Sequence, residues 1–480
     1  MILTKYENKM RFFLLVIAAV FFMACGKEND EPENEVIIDP DPVEETLPDP
    51  EGTQYATWIM IWNRSSESWW NSEDTQGATI YVNGKWQSID WKDNAQIDEY
   101  IQNLKDAGIT LLICDLTNGW GWLDDKVQYI QTLCAKNGMK LCVAENSQGD
   151  ISVFESHAKD IWNKFAKPSL PNGSTYLRKD GKPVIVCYSI RSWYNSYSNS
   201  KLFNTNKFSL VWASGEDSNI DKWGWQLEPW VASVPSTDAM FVTSAVKWNS
   251  TRSQDWRKSL AFLDYNFLLV QQNDPKYIIV GSYDDIHERN GWLLANTTNS
   301  IPGMQMRDKN GAISTDAYFN RVKEWINGNP TSIPEGYIQD GCYRVINRNS
   351  EKVFNLGGNE GKLGALLTQN TKSNERLNDY YWFYHLGNNT YRIIGLSSAL
   401  SLDILSTSDN RVFHNFDDDV LSQKWTLEDA GEGYFFIMNN KSGKVLEVEG
   451  ASVDSGISII QSIKNNGTNQ QWEIEKILSL

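Results

Sequence analysis

Between Tyr55 and Asn329, short apolar runs alternate with stretches that repeat hydrophobic residues at helical spacing. Strands buried on both faces and separated by helices are typical of parallel sheets built from βαβ units. Seven such strands within about 275 residues predict a (β/α)8 TIM-like barrel, so the fold class is α/β in this part of the chain. A doubly wound open sheet is the alternative, although no Gly-rich phosphate loop follows the first strand. The predicted strands cover 56–62, 110–116, 140–146, 182–189, 208–214, 239–246 and 276–283, and the clearest helices cover 97–108, 125–138 and 152–166.

The pattern changes near Thr331, where a Pro/Gly/Asn-rich linker precedes about 140 residues that lack helical periodicity. Three segments repeat there, each with a short strand, a polar turn, a second strand and a closing tryptophan. The repeats close on Tyr380-Tyr381-Trp382, Gln423-Lys424-Trp425 and Gln470-Gln471-Trp472. The organisation predicted for the chain is a signal segment (1–24), an acidic disordered tether (25–54), the barrel (55–329), a linker (330–335) and an all-β domain (336–480).

The N-terminus has the features of an export signal, with three basic residues before an apolar stretch over 12–24. That stretch is too short for the roughly 20 residues of a membrane-spanning helix. It ends at Ala24-Cys25-Gly26, which resembles a bacterial lipobox and implies cleavage before Cys25 and acylation of its thiol. Residues 27–31 are similar to the surface-export signal of Bacteroidetes lipoproteins. We therefore expect an outer-membrane lipoprotein exposed at the cell surface. A periplasm-facing anchor and a simple cleaved signal peptide are the alternatives.

Composition narrows the possible ligands. The net charge of −17 argues against a nucleic-acid partner, and four scattered histidines argue against a metal site. We expect no cofactor and a monomer. The 21 tryptophans suggest flat apolar surfaces on which sugar rings stack. The cysteines after Cys25 lie mostly in apolar runs, which predicts buried free thiols, although Cys134 and Cys142 could pair.

Active sites of barrels form at the carboxyl ends of the strands, and polar residues follow most of the predicted strands. The richest group comes last, where Asp285 and Glu288 lie three residues apart among aromatic residues. Paired carboxylates of this kind serve as acid and base in glycoside cleavage. A charged loop capping a helix is the alternative interpretation. The other candidate substrate contacts are Trp62, Asp115, Asn118, Trp120, Glu145, Tyr188, Arg191, Tyr283 and His287.

The stretch from Met240 to Trp292 resembles the end of the barrel in glycoside hydrolase families 71 and 99 and their relatives. It contains Asp255-Trp256-Arg257 followed by an apolar strand and YDDIHERNG. The resemblance implies that Asp285 assists the sugar 2-hydroxyl and that Glu288 is the acid/base. It further implies hydrolysis of a poly- or oligosaccharide, with endo-action on α-linked mannose or glucose as one version.

Three departures from that pattern leave alternatives open. Asp285 stands where Glu is usual, Asp284 replaces Asn, and Arg289 replaces the customary Gly. Glu145 or Asp115 could supply the second carboxylate, and an inactive barrel in a glycan-binding lipoprotein is the competing function. A peptidase or lipase has no supporting motif in the sequence.

The C-terminal repeats resemble the ricin-type β-trefoil lectin family, whose repeats each end in a Gln-x-Trp motif. The resemblance implies sugar sites near the end of the second strand of each repeat. Asp403 fits best, with His414, Asn415 and Phe416 as possible partners. Asn355 and Glu447 hold the equivalent positions, with Asn370 and Gln461 downstream. We expect the Gln-x-Trp residues to belong to the core and not to contact sugar.

Overall fold

A computed structural model gives the structure of the chain. Every element below belongs to one compact unit, Thr46–Leu480. The structure describes residues 47–61, 80–82, 85–87, 89–117, 124–197, 199–200, 207–213, 223, 239–242, 259–284, 292, 305–328, 330, 336–356, 362–373 and 377–480.

The N-terminal part of the unit contains a mixed sheet with eight strands among the described residues. The strands are β1 (Gln54–Ile59), β4 (Leu111–Asp115), β5 (Lys140–Glu145), β6 (Arg178–Lys179), β7 (Lys182–Tyr188), β8 (Ser209–Ala213), β9 (Ala239–Val242) and β10 (Tyr277–Ser282), with a separate hairpin of β2 (Ile80–Val82) and β3 (Lys85–Gln87). Seven strands run parallel in the order β8-β7-β5-β4-β1-β10-β9, and β6 joins β7 as an antiparallel hairpin. Within the described ranges, β8 and β9 are the two ends of this row, so the closed barrel is not established.

Five helices among the described residues lie between these strands and a sixth follows the last of them; the apolar spacing predicted the first three. In the first helix, Asp93 is the N-cap and its carboxylate accepts from the N–H groups of Ala95 and Gln96. The chain leaves that helix through Gly108, whose φ of +92° favours glycine. The helices are α1 (Asn94–Asp106), α2 (Asp124–Asn137), α3 (Ile151–Ile161, continued by a π-helical turn Trp162–Ala166), α4 (Arg191–Tyr197), α5 (Leu260–Asn273) and α6 (Ala317–Asn327).

The C-terminal part is a twelve-stranded antiparallel sheet with three similar four-strand repeats. Each repeat contains a hairpin whose strands pair residue for residue, such as Asp403 with Phe413 in the second repeat. The strands are β11 (Gly341–Asn347), β12 (Val353–Leu356), β13 (Leu367–Asn370), β14 (Tyr381–Gly387), β15 (Thr390–Gly395), β16 (Leu400–Ile404), β17 (Val412–Asn415), β18 (Lys424–Gly431), β19 (Tyr434–Asn439), β20 (Val445–Val448), β21 (Ile459–Ser462) and β22 (Trp472–Ser479).

Strand register corrects the alignment of the first repeat. Tyr391 pairs with Trp425 and Phe435 with Trp472, but the equivalent Tyr343 pairs with Tyr381. Tyr381 therefore occupies the position of the motif tryptophan. A slip of one residue turns a side chain to the other face of a strand. Consistent with this, Tyr381 packs in the core of the repeats.

Trp382 instead belongs to a hydrophobic cluster that is continuous with the N-terminal sheet and its helices. Tyr384 belongs to the same cluster and donates its hydroxyl hydrogen to Asp264 of α5. Ordered contacts also begin before the predicted boundary at residue 55. Asp49 accepts hydrogen bonds from Lys276 Nζ at 2.9 Å and from the N–H groups of Asp180 and Gly181.

The cysteine prediction is confirmed. Cys114, Cys134, Cys142, Cys187 and Cys342 are buried free thiols, and the pairing of Cys134 with Cys142 does not occur. Among the residues described, no helix is both long and apolar enough to cross a membrane. In the same ranges, no group of three or more His, Cys, Asp or Glu side chains is arranged to hold a metal ion.

Candidate functional site

Many of the residues proposed for the N-terminal site lie outside the described residues. Arg191 begins α4, but only its backbone is described. The residues outside are both candidate catalytic carboxylates and several contacts, namely Asp285, Glu288, Asn118, His287, Trp62 and Trp120, together with the lipidation candidate Cys25.

Asp115 and Asp284 both lie at the carboxyl edge of the parallel strands. Asp284, which the sequence analysis did not select, lies two residues after the end of β10 and accepts from the N–H of Met60 at 2.8 Å. Burial raises the pKa of Asp284 to about 7, and the charge of Asp115 acts in the same direction. The Met60 and Tyr100 hydrogen bonds oppose that increase. A carboxyl group with this pKa can exchange a proton near neutral pH.

Glu145 ends β5 at the same edge and is fully buried. One of its oxygens lies 3.2 Å from Nδ1 of His157 in α3. Burial raises the pKa of Glu145 although His157 lowers it. Tyr188 at the end of β7 is half-buried.

Tyr283 does not fit the role of a sugar contact. Its side chain is fully buried, and its ring packs edge-on against Tyr100 and Trp292 at centroid distances of 5.1 and 4.8 Å. The large ring fills the space behind the strand end, which is a packing role.

The second repeat of the C-terminal part assembles a polar group around Asp403. Its Oδ2 accepts from Asn415 Nδ2 at 2.9 Å and from Gln423 Nε2 at 3.1 Å, and its Oδ1 accepts from the N–H of Ile404. Phe413 pairs directly with Asp403 and so lies on the same face of the hairpin. A fixed carboxylate, an amide and an aromatic ring on one face can accept sugar hydroxyl hydrogens and pack against the apolar face of a sugar.

The third repeat keeps only part of this arrangement. Glu447 accepts from Gln470 Nε2 at 2.6 Å, as Asp403 does from Gln423. However, the pairing partner of Glu447 is Ile460, and Ser462 takes the place of the amide. An aromatic ring and a side-chain amide are therefore both missing from these positions.

The first repeat departs further from the arrangement. Asn355 pairs with Thr368, and Asn370 holds the amide position. With the corrected register, Asp379 occupies the place of Gln423, at the end of the same short 3-10 turn. Its carboxylate accepts from Arg344 Nε at 3.2 Å and has no amide hydrogen to donate to Asn355.

Of the three partners suggested for Asp403, only Asn415 donates a side-chain hydrogen bond to its carboxylate. Asn415 binds it, and Phe416 contributes only backbone groups to the hydrogen bonds around Gln423 and Asn415. His414 is not a partner, because alternation along β17 turns it into the core. Its Nδ1 lies 3.0 Å from the carbonyl oxygen of Ala365.

Sequence reasoning missed Gln423, which was assigned to the core. It is buried, but its amide group fixes the orientation of Asp403. The hydrogen-bonding capacity of a buried glutamine was the available signal, because such a group needs partners.

Residues 421–478 match the family described as ricin-type beta-trefoil lectin domain-like. The C-terminal region contains a ricin-type β-trefoil lectin domain. The lectin domain therefore places a carbohydrate-binding function in this chain. No curated protein matches the chain.

Solved structures similar to the chain align with about the length of the lectin domain. The designed threefold-symmetric protein ThreeFoil is 32% identical, with a TM-score of 0.28 and coverage of 29% of this chain and 100% of that one. An exo-β-1,3-galactanase from Clostridium thermocellum is 26% identical, with a TM-score of 0.28 and coverage of 28% of this chain and 30% of that one. The Rhizoctonia solani agglutinin is 19% identical, with a TM-score of 0.26 and coverage of 31% and 99%. The chain thus spans less than a third of the galactanase.

Proposed function

We propose that this protein captures a glycan through the second repeat of its lectin domain. The observation that carries the proposal is the Asp403 carboxylate, held by Asn415 and Gln423 beside Phe413. The donors fix the carboxylate before a sugar arrives, so little orientational freedom is lost on binding. The first and third repeats lack the full set, and the proposed lectin has one strong site per chain.

The capture proposal is tested by replacing Asp403 with alanine. A panel of mannans, α-glucans, β-galactans and host glycans first identifies the best binder, and titration calorimetry then gives Kd. Loss of charge-assisted hydrogen bonds worth about 1.5–3 kcal/mol predicts a Kd at least about tenfold higher. Glu447→Ala in the third repeat is the matched control and should change Kd by less than about twofold. Equal losses in the two variants would contradict a single strong site.

A second candidate function is glycoside hydrolysis by the N-terminal part, with Glu288 as acid/base and Asp285 as the assisting carboxylate. The observation that favours it is a group of buried carboxyl residues at the carboxyl edge of the parallel strands. Asp115 and Glu145 end two strands, and Asp284 lies two residues after a third. The resemblance to families 71 and 99 supports the assignment of roles. The resemblance of Ala24-Cys25-Gly26 to a lipobox supports a membrane-anchored enzyme that acts at the cell surface.

Strand order supports a barrel for this part. In a doubly wound sheet, the strands of the second half start beside the first strand and proceed outward. Here β10, the last of the parallel strands in the sequence, lies beside β1, and β9 lies on the far side of β10. The first and last parallel strands are therefore neighbours, as they are in a closed barrel.

Hydrolysis predicts that the wild-type protein releases new reducing ends from at least one glycan of the panel. Glu288→Gln removes the proton-donating group, and we expect release to fall by about 100-fold or more. Glu351→Gln, an exposed position in the lectin domain, is the control. Binding without release by the wild type and both variants would leave a purely glycan-binding protein.

A further inference from the structure

A short hairpin from the N-terminal part contacts the lectin domain. Arg307 and Ile313 form its bridge, and we call residues 307–313 the docking hairpin. Asp308 closes the turn, because its Oδ1 accepts from the N–H groups of Asn310 at 2.8 Å and Ala312 at 3.0 Å. The backbone of the tip is therefore held by its own hydrogen bonds.

The docking hairpin rests on a loop of the second repeat. Arg307 Nη1 lies 3.0 Å from Asp418 Oδ1, and the carbonyl oxygen of Lys309 accepts from Arg392 Nη1 at 3.0 Å. The approach is close at Gly311, where a Cβ would lie 2.7 Å from the carbonyl oxygen of Asp418. With a φ of +90°, this position favours glycine for its backbone conformation as well.

The contacted loop is the one that orients Gln423. The N–H of Asp418 donates to Gln423 Oε1 at 2.8 Å, and the carbonyl oxygen of Phe416 accepts from Gln423 Nε2 at 2.7 Å. The same Nε2 then donates to Asp403. A continuous path of polar contacts thus runs from Arg307 to the carboxylate of the proposed sugar site.

Charge explains why this loop needs an outside partner. It contains three consecutive aspartates, which repel one another when ionised. Asp417 pairs with the buried Arg392, and Asp419 pairs with Lys424. The middle aspartate, Asp418, pairs with Arg307 of the docking hairpin.

The third repeat provides an internal comparison. Gln470 makes the same set of bonds, to the N–H of Asn465, the carbonyl oxygen of Ile463 and the carboxylate of Glu447. Its loop carries no run of acidic residues, Ile463 is 77% exposed, and Lys464 pairs with Glu428 of the lectin domain itself. The third-repeat loop therefore takes its ionic partner from the lectin domain, whereas the loop beside the proposed sugar site takes one from the docking hairpin.

We propose that the docking hairpin positions the sugar site of the second repeat, so that glycan affinity depends on a contact from the N-terminal part. Arg307 is a positioning residue that acts through Asp418 and Gln423. The proposal rests on the capture function proposed for Asp403. The hairpin holds the loop with Asp418 in the one arrangement that keeps Gln423 hydrogen-bonded to the carboxylate of Asp403.

The test uses the full chain with Arg307→Ala, Arg307→Lys and Gly311→Ala. Kd is measured by calorimetry for the panel mannan, α-glucan or β-galactan oligosaccharide that the wild type binds most tightly. Loss of a partly exposed ion pair worth up to about 1 kcal/mol predicts a Kd about threefold to fivefold higher for Arg307→Ala. Arg307→Lys, which keeps the charge, should return Kd to within about twofold of the wild type. Gly311→Ala should weaken binding by displacing the same loop.

Side-chain amide NMR signals give a second readout that needs no sugar. We expect Arg307→Ala to shift the Gln423 amide signals and to leave those of Gln470 in place. An unchanged Kd together with an unmoved Gln423 signal overturns the proposal. Equal shifts at Gln423 and Gln470 also overturn it, because they indicate general destabilisation. If instead Asp403→Ala binds as the wild type does, the capture function fails, and the two glutamine signals still test the hairpin.

Discussion

Replacing Asp264 with alanine should lower the free energy of unfolding by about 3–5 kcal/mol, because the buried Arg321 then keeps only the half-exposed Glu324 as an ionic partner. Asp264 is fully buried on α5 and accepts from Arg321 Nε at 2.7 Å, Arg321 Nη2 at 2.8 Å and Trp325 Nε1 at 2.6 Å. It also accepts from the hydroxyl of Tyr384 in the lectin domain. Urea unfolding followed by tryptophan fluorescence measures the loss.

Two further variants serve as controls, because each should lower the free energy of unfolding by much less than Asp264→Ala does. Tyr384→Phe removes a single hydrogen bond and should cost about 1 kcal/mol. Glu428→Ala breaks an exposed ion pair with Lys464 and should cost less than about 1 kcal/mol. Because the Asp264 network joins the two parts of the unit, its loss should shift the unfolding of both. A lectin domain that unfolds at an unchanged urea concentration in Asp264→Ala would contradict this view of the contact.

Acidification from pH 6.5 to pH 4 should cost the fold about 3 kcal/mol through His414 alone. Burial lowers the pKa of His414 to about 4, and the hydrogen bond to the Ala365 carbonyl oxygen acts in the opposite direction. The unfolded chain binds a proton to this histidine below about pH 6.5, whereas the folded chain stays neutral until about pH 4. Stability from this residue is therefore complete above pH 6.5 and is lost as the pH falls toward 4.

The repeats themselves supply the control for this experiment. Gln369 and Gln461 occupy the positions equivalent to His414 in the hairpin register. Each donates to backbone carbonyl groups of another repeat, as in the bonds from Gln369 to Ser452 and Asp454. His414→Gln should therefore retain the fold and have a shallower loss of stability between pH 6.5 and 4. The same pH dependence in both proteins would show that other groups cause it.

Local patterns in the sequence predicted most of the individual elements. The apolar runs and helical spacing located the seven parallel strands and three of the helices between them, since the local alternation of apolar and polar residues is set by neighbours a few positions away. The three repeats were recognisable for the same reason. The pairing of β1 with β10 could not be predicted from local sequence patterns, because it joins residues about 220 positions apart. That pairing brings Asp284 to the N–H of Met60.

The register of the first repeat also escaped sequence reasoning. Aligning the repeats on tryptophan placed Tyr380 in the glutamine position, whereas the structure places Asp379 there. The leucine two residues earlier, Leu377 in the first repeat and Leu421 in the second, was the better guide. The error mattered, because the identity of the residue in that position decides whether the repeat can orient a sugar ligand.

The register of β14, which turns Trp382 away from the core of the repeats, has a consequence for protein engineering. A lectin module is commonly treated as a cassette that can be cut out and fused to another enzyme. Here Trp382 faces the apolar cluster shared with the N-terminal sheet, and Tyr384 beside it is bonded to Asp264. An excised cassette would expose this indole to water and deprive the tyrosine hydroxyl of its acceptor. Transplanting the module thus requires new surface residues at these positions or the retention of α5 and α6.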